Sequence, residues 1–257
     1  MMKKLFKWDL IYYFNQMKWM LIGTIFLGLT TYLFMILKES NVAVDYLYNT
    51  TLTFTVIGIV AMIVYAYFLV LRRYYTSVLK DEGYFTHTLP ISKTKIILAK
   101  YLAGVLMFLM MFGVGLLFMF LLKIINWDEL MMLNDLSKDM FGYLIFTVLL
   151  SFISFLVIIL VIYAALSFGF SFNSKEWLYV FLFILIYYGA TQILSAVNLG
   201  INLAFNPNLL TLEDPNQLLA SLLPVLIVNA VISLGIGIAC FLITKKYLTH
   251  KLNLKNG

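Results

Sequence analysis

Charge is what this chain has least of. Asp, Glu, Lys and Arg make up 12% of its 257 residues, about half their share in a soluble protein. That shortage puts the chain in the membrane class before any motif is read. Cysteine is nearly absent, and Cys240 alone excludes an intrachain disulfide or a cysteine metal cluster. It falls inside an apolar run and reads as a small packing residue. Histidine occurs twice, at His87 and His250, outside every apolar run. A metalloenzyme or an intramembrane protease needs polar groups within a span, and the runs offer no such set. G-x-x-x-x-G-K-[ST], G-x-S-x-G and H-E-x-x-H are all missing, so neither a P-loop, a serine nucleophile elbow nor a zincin site is present. We therefore expect no catalysis and no metal site in this chain.

What is abundant is apolar. Hydrophobic residues reach 63% and the mean hydropathy is +0.97. Six apolar runs, about 19–37, 52–71, 101–122, 141–166, 177–199 and 222–243, are each long enough to cross ~30 Å of hydrocarbon at ~1.5 Å per residue. None of the six contains Asp, Glu, Lys, Arg or His, which argues against an ion-coupled transporter with acids or histidines in its spans. The first run lacks a small-x-small cleavage pattern after it and reads as a retained span. The spacing thus predicts an all-α membrane protein of six transmembrane helices forming a single transmembrane domain over 1–257.

Orientation follows from Lys and Arg. With the N-terminus inside, fifteen of the eighteen fall in inside segments and three (Lys38, Lys123, Lys138) outside, while acidic residues divide four inside to eight outside. Both termini are therefore expected in the cytoplasm. The basic net charge of +6 serves this asymmetry, and no nucleic-acid partner is expected. Asp128, Glu129, Asp135 and Asp139 in the second outside loop read as the ordinary acidic bias of an external segment, with a cation site as the alternative.

Residues 2–18 place Phe6, Leu10, Tyr13 and Met17 on one helical face and most lysines opposite. Such a segment suits an amphipathic helix at the membrane surface; a plain extension of the first span is the other reading. Residues 200–221 are fairly apolar and punctuated by Pro207 and Pro215. They fit either a long external loop or short re-entrant helices. Gln192 and Asn229, with Asn198 and Asn202, are polar amides in or near the last two spans; packing between helices is the default role and a translocation path the alternative. Gly113, Gly115, Gly235 and Gly237 allow close approach of spans.

The longest polar passage between two runs is 72–100, with six of the Lys and Arg residues. Helix can continue past Leu71 through Lys80, and Asp81-Glu82-Gly83 breaks it. Pro90 disfavours helix at Leu89, and Ser92 can cap a new helix from Lys93. Tyr84, Phe85 and Leu89 offer apolar surface to a pocket in a soluble partner, with Asp81 and Glu82 at the rim. An ordinary basic loop explains the same residues.

This segment, LKDEGYFTHTLPISKTKIILAKYL, resembles the loop between the second and third spans of ATP-binding-cassette (ABC) exporter permeases of the type-two family. Asp81, Glu82, Gly83, Tyr84, Thr88, Leu89, Pro90 and Ser92 carry the match. The resemblance implies a coupling helix at Asp81–Pro90 docked on a separate cytoplasmic ATPase, which would hold ATP and Mg. It also implies an interface helix at 2–18, re-entrant helices before the sixth span, and a second permease copy or sibling. The seam of that dimer would involve the first and fifth spans, so Gly23, Gly28 and Gly189 are candidates there. The expected function is the permease subunit of a bacterial plasma-membrane exporter for an apolar or amphipathic cargo such as a peptide, lipid-like compound or drug. The alternative is a scaffold or sensor that binds a soluble partner through 72–100 and moves nothing; a passive channel is a third reading.

Overall fold

Hydrocarbon leaves no water for backbone N–H and C=O groups, so an apolar run that enters it must close its hydrogen bonds within itself. The computed structural model, which describes residues 2–37, 42–80, 82–88, 90–123, 138–172, 174–207 and 215–250, shows that outcome. In order it has α1 (Met2–Leu37), α2 (Val42–Tyr74), a π-helical stretch (Tyr75–Leu79), α3 (Gly83–Thr88), α4 (Lys93–Leu121), α5 (Lys138–Gly169), α6 (Glu176–Phe205) and α7 (Pro215–His250). Among the described residues there is no β-strand. All but the short α3 belong to six helices long and apolar enough to cross a membrane, so this is a multi-pass membrane protein.

Five of the six expected spans lie inside one helix and the third overruns α4 by one residue, Leu122, while every helix starts earlier than its span. α1 has 36 residues, ~54 Å of helix against ~30 Å of hydrocarbon. No proline or glycine interrupts its first 21 positions, and residues 2–18 are the first half of α1, continuous with the span. Residues 200–205 likewise continue α6, and α7 opens on Pro215, whose fixed φ and missing N–H suit a first helical position. Residues 208–214 lie outside the described residues, as do Asp128, Glu129 and Asp135 of the acidic loop.

The chain divides into two compact units, Met1–Arg73 with Leu98–Met131, and Tyr74–Ile97 with Met132–Gly257. In the first, α1 buries Asp9, Tyr13, Met17, Thr24, Gly28 and Thr31 along one stripe. Thr31 Oγ1 and Thr55 Oγ1 hydrogen-bond at 2.9 Å between α1 and α2, a polar tie of the kind that joins helices in lipid. A Cβ at Gly28 would overlap the Phe118 ring, so Gly28 serves close packing on α4 and is already covered within the chain. That takes Gly28 off the expected dimer seam; Gly23 and Gly189 face open space.

In the second unit, α5 and α7 share a core of Val157, Val161, Ala164 and Cys240, the packing role expected of the cysteine. Pro224 stands inside α7 and withdraws one backbone donor. Amides of α6 bond carbonyls on either side of it. Asn202 Nδ2 donates to Ser221 O at 3.1 Å and Asn198 Nδ2 to Val225 O at 3.0 Å.

Candidate functional site

The segment between the second and third spans is tied down on one side and bare on the other. The π-helical stretch ends with Lys80 N–H donating five residues back to Tyr75 O at 3.1 Å, and Glu82 N–H reaching Thr76 O at 3.0 Å. Gly83 then starts α3, with its N–H on Lys80 O at 2.8 Å. Gly83 and Thr86 are buried, and Thr86 Oγ1 donates to Ser77 O at 2.6 Å. Tyr84 and Phe85, by contrast, are 65% and 72% exposed, their rings edge to face at 6.0 Å. Glu82, Thr88 and Pro90 are exposed beside them. Asp81 and Leu89 lie outside the described residues. α4 begins at Lys93, and the N–H groups of Lys95 and Ile96 reach Ser92 O at 2.9 and 3.3 Å, which places the helix start where Ser92 predicts it.

His87 closes the other flank of α3. Its Nε2 lies 3.0 Å from Val78 O and its Nδ1 contacts Lys93 Nζ. An ammonium only donates, so Nδ1 accepts and Nε2 carries the proton given to Val78. The ring is then neutral. Burial first, and the Lys93 charge second, hold its pKa below the ordinary 6.5.

Aromatic residues join this segment to α5 and α6. Tyr74 is fully buried; its hydroxyl hydrogen-bonds Ser167 Oγ at 2.7 Å and its ring stacks on Tyr163 at 3.9 Å. Tyr75 packs on Phe170 at 5.1 Å and on Trp177 at 5.6 Å. Phe170 and Trp177 flank the turn between α5 and α6, where Gly169 permits an approach to Val180 and the Glu176 carbonyl that a Cβ would block. The sequence alone does not connect this turn with the segment; the Tyr74-Tyr75 pair just past a span is the available signal.

In the first unit a buried ion cluster joins α1, α2 and α4. Asp9 Oδ1 accepts from Arg73 Nε at 2.7 Å, and Asp9 Oδ2 from Lys100 Nζ at 3.2 Å. Asp9 and Lys100 are 1% and 2% exposed, and the Arg73 guanidinium lies over the Tyr12 ring at 4.7 Å. Arg73 and Lys100 stand on the two stems of the 74–97 segment. Asp9 was not among the expected residues; the signal was an acid spaced at i−4 and i−8 from Tyr13 and Met17.

The remaining expected residues separate. On α1, Tyr13 and Met17 are buried and Phe6 and Leu10 half-buried, so the buried stripe runs through Asp9, rotated from the face read in the sequence. Asn229 Oδ1 accepts from Asn198 Nδ2 at 3.1 Å, an interhelical packing bond. Gln192 is exposed on α6, six positions from Asn198 and on another face. The family model described as ABC-2 family transporter protein matches residues 4–244. No curated protein and no solved structure matches the chain.

Proposed function

The chain belongs to the ABC-2 family transporter proteins, membrane components of ABC transporters, and from that membership we propose that it is the permease subunit of an ATP-driven exporter in a bacterial plasma membrane. Both termini and α3 face the cytoplasm. A separate ABC ATPase, which binds ATP and Mg, docks on α3. A second permease, identical or sibling, completes the assembly, and the cargo is apolar or amphipathic.

The observation that carries this reading is α3 itself. Two adjacent aromatic side chains stand exposed on a helix whose opposite side is hydrogen-bonded to the stretch before it. A pinned element with protruding aromatics suits a pocket in a partner, where such residues dominate binding energy. Motor movement on α3 then passes through the π-helical stretch to Tyr74 and Tyr75, and from these to α5 and α6 by the ring contacts above. Uncharged spans favour an apolar cargo over an ion.

The test is purification of the tagged chain from its own membrane in mild detergent, followed by an ATPase assay. A P-loop protein should co-purify. Tyr84→Ser with Phe85→Ser should weaken its retention roughly 30-fold, the size of a ~2 kcal/mol hot spot, and Glu82→Lys or Leu89→Asp should lower permease-linked ATP hydrolysis. Retention unchanged in all these variants defeats the docking assignment. A partner without a nucleotide site would favour the scaffold instead.

A further inference from the structure

A cavity of about 380 Å³ lies in the second unit between α6 and α7. Its walls run from Tyr179 to Leu194 on α6 and from Ile236 to Ile243 on α7, and none of its lining residues is charged. The α6 wall spans ~22 Å, longer than the ~15 Å of one leaflet's hydrocarbon. Ala190 and Ala239, both in the lining, keep it open where larger residues would fill it.

We propose that this groove binds an anionic phospholipid, with an acyl chain along the apolar wall and the headgroup phosphate on Lys175 and Lys246. The lining positions 236, 239 and 243 form one row of α7, and the next position on that row is Lys246. On α6 the first lining residue is Tyr179, and Lys175 stands one turn before it. Both lysines are exposed. They mark the same end of the groove, because the end of α5 touches both helices there. Phe168 meets Tyr247 at 5.3 Å and Phe172 stacks on Tyr179 at 4.1 Å. Lys245 adds a third cation and Glu176 one anion, so the mouth is net positive. Lys175 holds φ at 55°, a left-handed conformation that favours glycine. An apolar channel between spans that ends in lysines has the chemistry of a headgroup-and-chain site. This inference rests on the membrane-spanning helices and is independent of ATPase docking.

The experiment photolabels the purified full-length chain in mixed micelles with a phosphatidylglycerol carrying a diazirine on its acyl chain, and in parallel with the matched phosphatidylcholine. Phosphatidylglycerol should label the peptides holding Tyr179–Leu194 and Ile236–Ile243 more strongly, by roughly fivefold for each engaged lysine. Lys175→Gln with Lys246→Gln, both at exposed positions, should bring it down to the phosphatidylcholine level. Ala239→Trp should remove labelling by both lipids while elution from a sizing column is kept. Equal labelling by the two lipids overturns the proposal, as does labelling unaffected by the lysine changes. A crosslink joining these peptides in two copies of the chain would also overturn it and make the face a subunit interface.

Discussion

Without the Asp9 carboxylate, Arg73 and Lys100 face each other across a site from which water is excluded. Breaking a buried ion cluster by removing one partner costs about 3–5 kcal/mol, whereas replacing the whole set with apolar residues is often neutral. Asp9→Leu should therefore lower the thermal unfolding temperature in detergent sharply, and adding Arg73→Met and Lys100→Met should recover most of it. A second residue-scale prediction concerns His87. Its folded-state pKa lies below the ordinary 6.5, so on acidification the released segment takes up a proton before the docked one does. Docking of α3 is then at full strength at about pH 7.5 and weakens as pH falls below His87's ordinary value. A protonated ring would also set Nδ1–H against the Lys93 ammonium. Hydrogen-exchange protection of 83–88, corrected for intrinsic rates, should drop on acidification in the native chain and stay level in His87→Phe.

At the level of elements, the turn between α5 and α6 is a tight joint. Gly169→Ala would press on the Val180 side chain and on the Glu176 carbonyl, which lies 2.7 Å from the added carbon. It should cost about 1–3 kcal/mol by overpacking, read as a lower unfolding temperature. Val180→Ala should not rescue it, because the carbonyl stays in place. Gly28→Ala should behave differently, since its obstacle is the Phe118 ring alone and Phe118→Leu can relieve it. The six long helices were legible because a long run without charge has one satisfied conformation in lipid, and α6 amides bond the carbonyls around Pro224, the one proline in such a run. Pro90 and Ser92 likewise announced the start of α4 from local chemistry. The π-helical stretch 75–79 was not legible, because its five-residue hydrogen bond depends on where Thr86 and His87 return to Ser77 and Val78. Nor was the stripe of α1 legible in full. Hydropathy counts Asp9 as an outward residue, and only the arrival of Arg73 and Lys100 turns it inward.

For the molecule as a whole, the proposed orientation is open to a direct test. In a Cys240→Ser background, Thr249→Cys should react with an impermeant maleimide only after cell lysis, and Glu129→Cys in intact cells. The reverse pattern would invert the placement of α3 and with it the proposed ATPase docking. The Asp9 cluster has a further consequence for how the chain is made. Arg73 and Lys100 follow Asp9 by 64 and 91 residues. At ~5–20 residues per second, the ribosome has not supplied the second cation until roughly 5–18 seconds after it reads the Asp9 codon. Throughout that interval the nascent α1 carries an unneutralised carboxylate. The first helix is thus locked only once the start of α4 has been made, and a chain that stalls before its third span leaves the translocon with that lock still open.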